Sequence, residues 1–152
     1  MFSRQEASIL KQQFWTSFGQ YMAPVPSAEG LKINWVNYKT GAKDLHFKML
    51  ADNTTATISI IMAHAATSRQ TLFFNQFMRV KNLLQDALQE EWQWALHVPD
   101  ENNKTVSCIY TSLTGVNIFK KEDWPAIISF FKPRMIALDS FWNEVKFGFE
   151  ML

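Results

Sequence analysis

The sequence predicts an α+β domain: a mostly antiparallel sheet of four to five strands with three helices, in the order helix, two or three strands, helix, two strands, helix. Three apolar stripes at three- and four-residue steps predict the helices. Alternating runs separated by short polar turns predict hairpins, which make neighbouring strands antiparallel. The 152 residues, 47% of them hydrophobic, suffice for one domain, residues 1–152, with a full core and no staple.

Each element has its own signal. From Ser3, the positions Ile9, Leu10, Phe14, Phe18, Tyr21 and Met22 gather on one helical face, and Ser3 with Glu6 has capping-box spacing. Pro24 and Pro26 end that helix. Leu31 to Tyr38 reads as a strand or extended segment, and Lys39 to Ala42 as a turn. Asp44 to Leu50 and the β-branched run Thr54 to Ala63 read as a hairpin about Asp52-Asn53. Thr67 with Gln70 repeats the capping-box spacing ahead of a long second helix with the stripe Phe73, Phe77, Val80, Leu84, Ala87 and Leu88. Trp92 to Val98 alternates with period two, and a turn at Asp100 to Asn103 leads to a partner strand, Thr105 to Ser112. The third helix starts near Asp123 and carries an almost unbroken stripe from Trp124 to Phe149, with a kink expected at Pro133.

Composition excludes several function classes. Fifteen basic residues against fourteen acidic ones argue against a strongly basic nucleic-acid protein and against an acidic tail. No apolar run reaches the roughly 20 residues of a membrane span, and the polar opening Met1 to Glu6 reads as cytoplasmic. Cys108 is the only cysteine, so an internal disulfide, a CxxC pair and a cysteine zinc site are all excluded.

Catalytic constellations are likewise missing. A helix, three strands, helix, strand order would also suit a restriction-endonuclease-like nuclease, which needs an acid on one strand and an acid plus a lysine on the next to hold Mg²⁺ and activate water. Asp44 can supply the first, but Thr54 to Ala63 holds no Asp, Glu, Lys, Arg or His. His46, His64 and His97 fall in or beside three different strands, without metal-ligand spacing. There is no nucleophile elbow, P-loop or dinucleotide fingerprint. No catalytic residue, metal or cofactor is therefore expected.

Two regions point to binding. Pro24 to Lys48 displays Asn34, Trp35, Asn37, Tyr38, Lys39, Lys43, His46 and Lys48 with few acids, the residue types that stack on bases and hold phosphates. The last helix carries Phe130, Phe141 and Phe147 off its stripe, and a second apolar face commonly marks an interface. The acidic run Asp86 to Glu101 contrasts with the basic segment and would suit a homodimer. The expected function is a non-catalytic interaction module, self-associating through the aromatic helix face, with Trp35, Tyr38, Lys39, Lys43, Phe130 and Phe141 as contact residues. Two alternatives stand beside it: a degenerate nuclease-like nucleic-acid binder using the basic segment, and a small-ligand pocket between sheet and helices.

Phe14-Trp15 with Phe18-Gly19 and Tyr21, Ala23-Pro24-Val25-Pro26-Ser27-Ala28-Glu29-Gly30, Trp35 to Gly41, and Asp123-Trp124-Pro125 through Pro133-Arg134 resemble a bacterial family classed as domain of unknown function 4268. The resemblance runs over nearly the whole chain and implies no defined activity. In longer proteins similar domains follow a nuclease-like or DNA-related domain, which implies an accessory role near nucleic acid; a chain of this length is expected to lack that partner. Family members often carry an acid where this sequence has Ile61, three residues before His64, so a Glu-x-x-His pair is missing here.

Overall fold

The computed structural model describes residues 3–152. Helix α1 (Arg4–Met22) opens on the expected capping box: the Ser3 hydroxyl accepts from the Glu6 N–H at 3.1 Å, and the Ser3 N–H donates to Glu6 Oε1 at 3.4 Å. Phe14, Phe18 and Met22 are buried, whereas Ile9 and Tyr21 stay exposed. The helix presents one narrow row to its neighbour, so the flanks of the expected stripe remain wet.

Two antiparallel hairpins build the sheet. Strand β1 (Leu45–Ala51) pairs with β2 (Thr55–Met62), and β3 (Gln93–Pro99) with β4 (Thr105–Thr114). Each turn is organised by an aspartate that accepts from backbone N–H groups two to four residues on, Asp52 in the first and Asp100 in the second. The hairpins join through β2 and β4, giving the order β1-β2-β4-β3 with every neighbour antiparallel. Phe47, Ile60, Ile109 and Trp94 are partners in one row of the inner face, and His46, Ile61, Cys108 and Ala95 in one row of the outer face. Helices cover the inner face, as the contacts Phe47 to Trp142 (5.8 Å between centroids) and Phe74 to Trp94 (5.5 Å) show.

Of the two readings of Leu31 to Tyr38, strand or extended segment, the strand does not form, and the sheet has four strands among the described residues. Local side chains take the backbone donors a ladder would need: Asn34 Oδ1 accepts from the N–H groups of Val36 and Asn37 at 3.1 and 3.0 Å, and Ser27 Oγ accepts from Glu29 and Leu31. With two strands rather than three before the second helix, the order also departs from that of a restriction-endonuclease-like core.

The long second helix is two helices, α2 (Thr67–Arg79) and α3 (Lys81–Leu88), broken where Val80 leaves helical geometry at φ −106° and ψ 19°. Their buried positions, Phe73, Phe77, Leu84 and Leu88, are those of the expected stripe. The second capping box is absent, because Gln70 serves the core instead of the helix start. It is fully buried; its amide donates to the carbonyls of His64 (2.7 Å) and Thr105 (2.9 Å), and its oxygen accepts from the Ser107 hydroxyl (2.9 Å). Those bonds tie α2 to the ends of β2 and β4.

Helix α4 (Trp124–Val145) begins with Pro125 in its first turn and runs through Pro133 without ending. It packs against α1, α3 and β2, so it is apolar on several sides. This corrects the expected aromatic contact face. Phe130 and Phe141 are 7% and 2% exposed, Phe130 beneath the Arg134 guanidinium at 4.4 Å and Phe141 against Phe77. Of the three off-stripe aromatics, Phe147 alone is exposed.

Candidate anion-binding groove

The chain between α1 and β1 lacks regular structure yet is held firmly. Trp35, expected as a contact residue, is 2% exposed; its indole N–H donates to the Val25 carbonyl at 2.9 Å and anchors the segment to the core. Tyr38 stacks on Phe47 at 5.3 Å and donates its hydroxyl to Asp139 Oδ1 at 2.5 Å. The other oxygen of Asp139 accepts from the Ala28 N–H at 2.7 Å. Trp142, one turn further along α4, donates its indole N–H to the Thr40 carbonyl at 2.7 Å. Burial and then the bond to Asp139 push the Tyr38 phenol far above its ordinary value of 10.0, so it acts as a donor and does not ionise.

Pinned at Ala28, Tyr38 and Thr40, the segment projects residues 38–43 as a ridge with Lys39 and Lys43 exposed on it. Three depressions adjoin this ridge and share its residues. The first, about 510 Å³, lies between Thr40 to Lys43, Arg69 of α2 and Lys146 after α4, over a floor of Phe73, Trp142 and Phe149. The second, about 540 Å³, holds Lys39, Lys146, Tyr38 and Asp139. The third, about 390 Å³, runs along Lys39 to His46. Lys146 pairs with Glu29 at 3.1 Å, which leaves Lys39, Lys43 and Arg69 as cations with no ion pair among the described residues. Four acids, Glu29, Asp44, Asp139 and Glu150, also line these depressions.

The structure therefore brings Lys39 and Lys43 together and sets Tyr38 beside them as a positioning group, while Trp35, Phe130 and Phe141 belong to the core. Arg69, Asp139, Trp142 and Lys146 were missed by sequence reasoning. The one available signal was Asp139, an acid set between Leu138 and Phe141 in the apolar rhythm of α4.

His64 lies behind the first depression. It is 5% exposed, packs against Phe73 with ring centroids 4.4 Å apart, and has no geometric hydrogen-bond partner at either ring nitrogen. Burial lowers its pKa from the ordinary 6.5; Asp44 opposes that shift, while Arg69 and His46 reinforce it. His46, on the outer face of β1, is lowered by burial and by Lys48. His97 sits at a bulge in β3 with φ +52° and places its Nε2 3.0 Å from the Thr67 carbonyl. Burial pushes the Cys108 thiol up. Among the described residues no three His, Cys, Asp or Glu are placed to hold a metal ion, and no helix is long and apolar enough to cross a membrane.

A four-stranded antiparallel sheet with helices on one face defines an α+β fold, with a pinned segment that carries Lys39 and Lys43 beside shallow grooves. The chain belongs to the family described as Domain of unknown function (DUF4268), whose model matches residues 10–146. No curated protein and no solved structure matches it.

Proposed function

We propose that this domain is a non-catalytic binding module whose ligand is the phosphodiester backbone of nucleic acid, laid across the ridge at residues 38–43. The observation that carries this reading is the convergence of Lys39, Lys43 and Arg69, from segments 26 or more residues apart in sequence, around connected grooves without ion-pair partners among the described residues. Aromatic rings beneath the grooves are buried, so contact is with phosphate and carries no base sequence. Three phosphate contacts give a slope of log K against log salt of about −2.1 to −2.7, a loss of roughly 20- to 40-fold between about 50 and 200 mM salt.

The test is fluorescence anisotropy with labelled single- and double-stranded oligonucleotides at those two salt concentrations, with and without Mg²⁺. Lys43→Ala and Arg69→Ala should each flatten the slope by about 0.7 to 0.9. No saturable binding at about 100 µM protein in low salt would sink the reading, and Mg²⁺-dependent cleavage would overturn its non-catalytic half.

Self-association is the second reading, favoured by the outer sheet face, where Leu50, Ile61, Ala95 and Cys108 lie uncovered or half-covered. A dimer formed there would persist at high salt in sedimentation analysis, and a monomer at about 100 µM would exclude it.

A further inference from the structure

The buried imidazole of His64 is the one polar side chain among the described residues whose nitrogens are enclosed and unpartnered. An enclosed nitrogen without a partner forfeits hydration for nothing, which makes the position costly unless it does something. Its neighbours are the groove itself: Phe73 packs against the ring at 4.4 Å and lines the first depression, Arg69 lies over the Phe73 ring at 5.7 Å and lines it too, and the Lys43 backbone favours the protonated ring. The charges that face the ring come from each element packed there. Asp44, leading into β1, favours a proton; Arg69 on α2 and His46 on β1 oppose it. The free domain therefore keeps His64 neutral at pH 7.

Resting on the nucleic-acid reading above, we infer that His64 couples occupancy of the groove to proton uptake: a phosphate held at Lys43 and Arg69 offsets the charge that opposes an imidazolium behind them, so the domain binds more tightly as pH falls. The proton comes from solvent and resides on the ring. By linkage, the change in log K per pH unit equals the number of protons taken up, at most one for one imidazole.

The experiment uses the whole chain and a short oligothymidylate without terminal phosphates, a ligand that does not itself titrate near neutrality. Anisotropy at about pH 7.5 and 5.5 should show affinity rising about threefold to tenfold per pH unit, and calorimetry at about pH 6 in two buffers of different ionisation heat should show a buffer-dependent binding heat. His64→Phe, which keeps a ring against Phe73, should still bind at pH 7.5 but lose the pH dependence, whereas His46→Gln should keep it. If His64→Phe fails to fold, the buffer-dependent heat of the native chain decides. Binding with equal heats in both buffers overturns the inference and leaves the nucleic-acid reading standing. So does a pH dependence that survives in His64→Phe and vanishes in His46→Gln. No binding at either pH overturns both.

Discussion

Replacing Asp139 by Ala should release the ridge and destabilise the domain by about 3 kcal/mol. The carboxylate is 7% exposed and holds two donors of the segment between α1 and β1, the Tyr38 hydroxyl at 2.5 Å and the Ala28 N–H at 2.7 Å. A hydrogen bond to a charged group contributes about 1.5–3 kcal/mol, so the pair sums to about 3–6 kcal/mol. Tyr38 and Asp139 both line the 540 Å³ depression, where water can reach the freed hydroxyl, which places the effect at the lower end. Urea unfolding followed by tryptophan fluorescence would read this directly. With a slope of about 1–3 kcal/mol per molar urea, the midpoint should fall by about 1–3 M. A double-mutant cycle isolates the pair: Tyr38→Phe alone should cost about 1.5–3 kcal/mol, and far less in the Asp139→Ala background. Additive losses, or an Asp139→Ala midpoint within about 0.2 M of the native chain, would refute the pinning argument.

Gln70→Leu should cost about 2–4 kcal/mol, because it strips one partner each from the carbonyls of His64 and Thr105 and from the Ser107 hydroxyl, lowering the thermal midpoint by roughly 4–16 °C. Stability should decline as pH falls below about 6.5: the unfolded chain takes up a proton at His64 there, whereas burial holds the folded-state pKa lower, so the folded state is penalised by up to about 1.4 kcal/mol per pH unit until its own pKa is reached. Urea midpoints at about pH 7.5 and 5.5 test this, and His64→Phe should flatten the difference in part, with His46 supplying the remainder. Arg134→Ala should cost about 1 kcal/mol by uncovering Phe130 and breaking a two-pronged bond to Glu90, and Arg134→Lys should recover less than half in the same unfolding assay, since an ammonium neither forks nor stacks as a guanidinium does.

What was legible in the sequence follows the range of the interaction. The Ser3–Glu6 box, the two aspartate turns and the hairpin formed by Asp44 to Leu50 with Thr54 to Ala63 are set by neighbours a few residues away, and they appear where expected. Elements departed from expectation where another partner, distant or local, outbid the expected one. Gln70 has the spacing of a cap, but two carbonyls and a hydroxyl buried at the ends of β2 and β4 claim its side chain. Leu31 to Tyr38 has strand-like composition, yet Asn34 and Ser27 take its donors locally and Trp35 is drawn inward by the Val25 carbonyl.

The site obeys the same rule. Lys39 and Lys43 were visible because they lie a few residues apart in a segment poor in acids, and the structure leaves both exposed on one ridge. Aromatic content misled, since 14% aromatic residues in a chain of this size must mostly fill the core, and α4 is central enough to bury rings on several sides. Asp139 and Trp142, about a hundred residues from the ridge, give it its shape. A cationic loop becomes a binding surface only when something holds it still, because each lysine that must be ordered on binding subtracts its lost freedom from the affinity. Two side chains of α4, one turn apart, supply that order before any ligand arrives, so disrupting Asp139 should weaken nucleic-acid binding at constant salt slope, while removing Lys43 or Arg69 should change the slope itself.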